Sequence, residues 1–288
     1  MLLKRFVVAL ILLPLAIYLI LYAKAPNAKL VLNAMLVVAA WEWAGLCGWQ
    51  SRLVRIAFTL VAAIYFLLAT NTLPVFGVFL RLPIKALPLS MYLIFLSTIL
   101  WISVTIYTFF YPALIGLWKS KLLRILMALI IFNGVIASCF VLFTAVVDGR
   151  LWLLLCCIIA WTADTGAYFA GKRWGNRKLA PHISPGKTWE GVVGGLVVSL
   201  IAGLIAAYVL NLNMSYRLVP LIIVTMLAAL IGDLSISMLK RTVHLKDTGS
   251  LLPGHGGLLD RIDSLLAALP VFTLGMYTAM PEVFALHG

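Results

Sequence analysis

The run from Ser237 to Asp263, SMLKRTVHLKDTGSLLPGHGGLLDRID, gathers polar chemistry in a chain that is otherwise apolar. It holds three of nine acidic residues, two of four histidines, four cations and four glycines, so acid, base and pliable backbone meet in one stretch. Asp260 and Asp263 stand at i, i+3 on one face of a helix start. On the preceding apolar segment Asp233, Ser237, Lys240 and Arg241 stand at i, i+4, i+7 and i+8, again one face. Two carboxylates one turn apart, with a third on a neighbouring helix, suit a hard divalent cation. Mg²⁺ typically takes one or two carboxylates and completes its octahedron with water and substrate phosphates. Lys240, Arg241, Lys246 and Arg261 suit the neutralisation of phosphates, with Asp247 beside them. The loop Pro253-Gly254-His255-Gly256-Gly257 lets backbone amides approach an anion, since glycine adds no side-chain bulk. His255 either donates to a phosphate or caps the turn; the residues leave both open.

A second polar stretch reads Ser184-Pro185-Gly186-Lys187-Thr188. Its GKT invites a P-loop reading, but the first glycine that motif requires falls on Pro181, and no strand is expected before it. What remains is Lys187 with the Ser184 and Thr188 hydroxyls ahead of a helix N-terminus, a grip for phosphate.

The elements that must position these residues are membrane spans. Of 288 residues 64% are hydrophobic and 11% charged, whereas soluble chains are nearer half and a quarter. A span needs roughly 20 apolar residues, with its backbone satisfied internally. Nine segments qualify: 6–23, 30–47, 54–70, 87–111, 122–147, 151–171, 191–211, 218–239 and 262–280. Pro74, Pro83 and Pro88 predict a loop with an interfacial piece between the third and fourth. The first segment is long for a signal peptide and reads as an uncleaved span. The expected fold is therefore an all-α polytopic membrane protein of about nine helices.

With the N-terminus in the cytoplasm, 16 of the 22 cations fall on the cytoplasmic side, as the positive-inside rule requires. That face attracts anionic headgroups and nucleotides. Nucleic-acid binding is disfavoured, because the cations sit in short inter-helix loops. Cys47, Cys139, Cys156 and Cys157 lack CxxC spacing and read as packing residues.

The chain divides in character. Residues 1–149 read as scaffold helices; residues 150–288 read as the catalytic region, with polar cytoplasmic loops at 172–190 and 240–261. No internal repeat suggests a duplicated transporter half. A carboxylate at the centre of a span costs about 2.5–3.5 kcal/mol on insertion scales, so Glu42, Asp164, Asp233 and Asp263 are functional candidates by default. All four fall in the cytoplasmic half of their spans. Glu42, between Trp41 and Trp43, also reads as a structural residue at the interface. Asp164, Tyr168 and Lys172 form an i, i+4, i+8 stripe.

At these residues the chain resembles the bacterial phosphatidate cytidylyltransferases, or CDP-diacylglycerol synthases. The family pattern S-x-x-K-R, four residues, K-D, then H-G-G-x-x-D-R-x-D fits Ser237, Lys240-Arg241, Lys246-Asp247, His255-Gly256-Gly257, Asp260-Arg261 and Asp263. The stretch from Trp161 to Tyr168, Lys178 to Pro181 running into Ser184 to Thr188, Gly232-Asp233 and Trp41-Glu42-Trp43 are similar to it as well. The resemblance implies that CTP and phosphatidate give CDP-diacylglycerol and pyrophosphate with Mg²⁺, in a homodimer of the cytoplasmic (inner) membrane, among membrane lipids. It implies a metal site at Asp233, Ser237, Asp260 and Asp263. Asp164 and Asp247 either hold a second cation, K⁺ or Mg²⁺, or orient the bases. The CDP-alcohol phosphotransferase pattern fails at Asp148-Gly149, which is followed by Arg150-Leu151-Trp152-Leu153. A cation- or proton-coupled transporter using Asp164 and Asp233 is the alternative from another class.

Overall fold

A computed structural model describes residues 13–79, 89–112, 115–251 and 256–284. In chain order the helices are α1 (Leu13–Tyr22), α2 (Ala25–Leu46), α3 (Arg52–Phe79), α4 (Leu89–Phe109), α5 (Ile115–Trp118), α6 (Lys121–Thr144), α7 (Gly149–Trp174), α8 (Trp189–Val209), α9 (Leu218–Thr242) and α10 (Leu259–Ala279). Two short strands, β1 (Lys178–Ala180) and β2 (Ser184–Thr188), pair antiparallel between α7 and α8. A 3-10 turn at Pro281–Val283 follows α10.

Among the described residues eight helices are long and apolar enough to cross a bilayer: α2, α3, α4 and α6 to α10. The chain is thus an all-α polytopic membrane protein with one small hairpin. α1 is the described part of the expected first span, whose start lies outside the described residues. The expected break at Pro74 does not occur, because α3 runs on to Phe79. Proline is tolerated in spanning helices where neighbours and local adjustments re-satisfy the backbone. Pro83 and Pro88 lie outside the described residues.

Burial orders the helices. α6 is 72% buried over its most apolar window and α3 only 6%, so α6 is central and α3 presents its side chains to lipid. Indole N–H groups join helices across this core: Trp43 donates to the Arg124 carbonyl at 2.9 Å and Trp101 to the Leu266 carbonyl at 3.1 Å. Arg124, a cation inside the apolar segment 122–147, is 3% exposed. Its guanidinium donates to the Trp118 carbonyl, to the Leu46 carbonyl at 2.7 Å and to the Thr242 hydroxyl at 3.0 Å. One buried cation thereby ties the ends of α2, α5 and α9. Core hydroxyls satisfy themselves within their helices, as Thr225, Ser235 and Thr273 do on the carbonyl four residues back.

α7 and α8 meet through small residues. A Cβ built on Gly194 would lie 2.1 Å from the Ala170 Cβ, and one on Gly166 would lie 2.7 Å from the Val198 Cβ. Such backbone approach drives helix association in lipid, where no hydrophobic difference favours contact. Gly194→Leu is expected to separate α7 from α8 and destabilise by about 1–3 kcal/mol through overpacking. The check is the melting temperature in detergent. An unchanged value would contradict this packing.

Candidate active site

α9 and α10 bring the first carboxylates together. A Cβ on Gly232 would lie 2.4 Å from the Asp263 carbonyl oxygen, so only glycine lets the helices approach there. The next residue, Asp233, then stands beside Asp263, with Asp164 of α7 completing a group within electrostatic reach of one another. Exposure rises across the group: Asp263 is 7% exposed, the Asp233 side chain 26%, and Asp164 is exposed, so the cleft opens towards α7. Ser237 donates to Asp233 Oδ1 at 3.3 Å, one turn along α9. Ser264 donates its backbone N–H to Asp263 Oδ1 at 2.8 Å and its hydroxyl to Asp164 Oδ2 at 3.3 Å.

The β1–β2 hairpin delivers a cation to this group. Lys187 Nζ lies 2.7 Å from Asp233 Oδ2. Arg241, near the end of α9, holds the hairpin by donating Nε to the Ile183 carbonyl at 3.2 Å. Arg261 reaches Asp164 electrostatically. Ser184 starts β2. Thr188, grouped above with the phosphate grip, is buried, and its hydroxyl accepts from Gly191 N at 3.1 Å as the cap of α8.

A second layer fixes the described residues that flank the glycine-rich loop, Thr248 on one side and Gly257 to Leu259 on the other. Lys240 Nζ donates to Asp260 Oδ1 at 2.7 Å, with side-chain exposures of 10% and 5%. Asp260 Oδ2 accepts the amides of Thr248 at 2.8 Å and Gly257 at 3.0 Å. Glu42 of α2, 2% exposed, accepts the Thr248 hydroxyl at 2.8 Å and the amides of Leu258 and Leu259 at 2.9 and 2.7 Å. The sequence suggested that glycine here lets amides meet an anion. The two described glycines pack against the protein's own carboxylates: a Cβ on Gly257 would lie 2.3 Å from Glu42 Oε2, and one on Gly256, at φ +81°, 2.8 Å from Asp260 Oδ2. Lys246 and Asp247 are exposed on this loop, and His255 lies outside the described residues.

Asp260 therefore spends both carboxylate oxygens on Lys240 and the loop, whereas Asp233 and Asp263 face the cleft with Asp164. Among the described residues no three His, Cys, Asp or Glu side chains form a complete cage for a metal ion. The donor chemistry still suits a hard cation. Mg²⁺ needs only one or two carboxylates from protein, and the group already attracts the Lys187 ammonium. Thr248 and Ser264 were not read as site residues from sequence, and Glu42 was read as a candidate acid that is also a structural residue at the interface. Glu42 carried a signal, as a carboxylate inside a span, but its partners lie more than 200 residues away.

The cytidylyltransferase family model matches residues 3–279. The chain belongs to the cytidylyltransferase family. Within it, the chain is 35% identical over 281 residues to a phosphatidate cytidylyltransferase of Pseudomonas aeruginosa, covering 97% of this chain and 98% of that protein. It is 35% identical over 256 residues to one from Haemophilus influenzae, covering 85% and 88% of the two chains. A Bacillus subtilis protein of that name is 42% identical over 135 residues, 45% of this chain and 49% of its own. The buried Lys240–Asp260 pair of this cytidylyltransferase family member generates a stability test. Lys240→Met leaves a buried carboxylate unpaired and is expected to destabilise by about 3–5 kcal/mol. Adding Asp260→Leu should recover much of that loss in melting temperature. A double variant no more stable than Lys240→Met would contradict the pairing.

Proposed function

We propose that the protein is a phosphatidate cytidylyltransferase, making CDP-diacylglycerol and pyrophosphate from CTP and phosphatidate. The observation that carries this reading is end-to-end similarity to proteins of that name, together with carboxylates of the spanning helices that meet Lys187 of the polar hairpin and Lys240 at the end of α9. A reaction between a lipid phosphate and a water-soluble nucleotide needs such a boundary site. A phosphate oxygen of phosphatidate attacks the α-phosphorus of CTP in line, a P–O bond forms, and the bond to pyrophosphate breaks. The attacking phosphate is already largely ionised near neutral pH, so no side chain has to act as general base. Catalysis then rests on positioning and charge neutralisation.

Asp233 and Asp263 would hold Mg²⁺, with Ser237 beside Asp233, and a second cation, K⁺ or Mg²⁺, would sit at Asp164. When bound, Mg²⁺ supplies Lewis-acid neutralisation of phosphoryl oxygens. Asp260, kept on Lys240 and the loop amides, orients the Lys240 ammonium. Lys187 leaves Asp233 for the nucleotide phosphates, which Arg241, Lys246 and Arg261 help to neutralise. By the family resemblance, His255, Gly256 and Ser184 are assigned to nucleotide binding as well. Residues 150–288 carry the reaction, and Glu42 from the scaffold half holds the loop in place. The site and the N-terminus face the cytoplasm, in the inner membrane, a reading supported by the 16 cations placed on that side. The homodimeric state is proposed from the family resemblance. The transporter alternative has no support among the relatives.

The test is pyrophosphate release from CTP by detergent-solubilised protein, with and without phosphatidate and with Mg²⁺ or EDTA. Release requiring both lipid and Mg²⁺ is expected. Asp233→Asn and Asp263→Asn should each lower kcat by about 100-fold or more, the order seen when one charge-stabilising group is lost. No release from folded, lipid-supplied protein would overturn the reading, as would full activity of Asp233→Asn with ordinary Mg²⁺ dependence.

A further inference from the structure

Outside the carboxylate cleft, a pocket of about 350 Å³ lies between α2, α3 and the segment after Thr248. Its walls are Val37, Val38 and Trp41 of α2, Thr59 of α3, and Leu251, with Glu42 as the polar wall. That volume is at the small end of ligand pockets, which run from about 300 to 1,000 Å³. It belongs to the most lipid-facing part of the bundle, where α3 exposes Leu60, Val61 and Ile64.

A cation sits one turn above it. Arg55 stacks over the Trp41 ring, 4.3 Å from its centroid, and donates Nη2 to the Trp41 carbonyl at 3.1 Å. Its Nε is buried without a hydrogen-bond partner. Among the described residues no carboxylate forms an ion pair with it. Arg52, at i−3 on α3, stands on the same face. Arg55 of α3 stands nearer the helix ends than the pocket's lining, Val37 and Val38 of α2 and Thr59 of α3. That is the order of an amphiphile, chain below and anionic head above.

We propose that this pocket binds one non-reacting anionic phospholipid, with an acyl chain between α2 and α3 and its phosphate on Arg55. Charge complementarity selects an anionic head, and the apolar walls select the chain. The lipid is not the substrate in its reacting pose, because none of Lys187, Lys240 or Arg261 lines the pocket. The Glu42 carboxylate on its wall is already committed to Thr248, Leu258 and Leu259. Gly249, Ser250 and Leu251 also border it, so a bound chain braces the segment that continues into the glycine-rich loop.

Trp41 reports occupancy directly. Full-length protein in detergent micelles is titrated with phosphatidylglycerol or phosphatidylcholine bearing brominated acyl chains, which quench nearby indoles. The Trp41 share is the difference between the protein and its Trp41→Phe variant. Half-quenching by phosphatidylglycerol is expected at about fivefold lower lipid fraction than by phosphatidylcholine, the factor for roughly 1 kcal/mol per basic residue. Arg55→Gln should abolish that preference, and Thr59→Phe, which fills the pocket, should remove Trp41 quenching by both lipids. Equal quenching by the two headgroups, or an unchanged preference in Arg55→Gln, would overturn the proposal. So would selective quenching by brominated phosphatidate alone, which would make the pocket a substrate site.

Discussion

Carboxylates held within reach of one another in an apolar bundle are the constraint around which this protein is built. Each costs about 2.5–3.5 kcal/mol to place in a span, and like charges at close range add to that. The fold offsets the penalty with cations carried from outside the membrane layer. Lys187 comes from the hairpin between α7 and α8 to Asp233, and Lys240 from the end of α9 to Asp260. The glycine at position 232 that lets α9 and α10 approach, and the glycines that pack α8 onto α7, serve the same end. Gly232 sets Asp233 beside Asp263, and α7, packed on α8, brings Asp164 within electrostatic reach of both.

The two acidic layers do different work. Asp233, Asp263 and Asp164 form the open layer, whose charge a substrate-bound cation would neutralise. Asp260 and Glu42 form a closed layer whose oxygens are already taken by loop amides and Lys240. Such charge-assisted hydrogen bonds are roughly twice as strong as neutral ones. Two carboxylates from different helices thus tie Thr248 to the start of α10. Glu42 also couples the N-terminal helices to that loop, so the scaffold is mechanically continuous with the chemistry.

Much of this was legible in the sequence. Long apolar runs gave the helices their places, from 218–239 for α9 to 122–147 for α6, with ends shifted by a few residues. The i, i+3 spacing of Asp260 and Asp263 did put both on the first turns of α10. Which carboxylate faces which partner was not legible, because that depends on helix contacts between distant segments. Asp260 and Asp263 look equivalent by spacing, yet the loop turns one inwards to Lys240 and leaves the other beside Asp233. Thr188 as a helix cap, Arg124 as a buried tie and α3 running through Pro74 are likewise decided by neighbours in space. The hairpin escaped notice because its strands are too short to show alternation.

The proposed divalent-cation site at Asp233 and Asp263 sets the cation in competition with Lys187, which pairs with Asp233. Mn²⁺ binding to the purified protein without CTP or lipid, followed by electron paramagnetic resonance, tests it most directly. Binding to the unaltered protein, its loss in Asp263→Asn and its strengthening in Lys187→Met are the expected results. Equal Mn²⁺ affinity in all three proteins would contradict the claim.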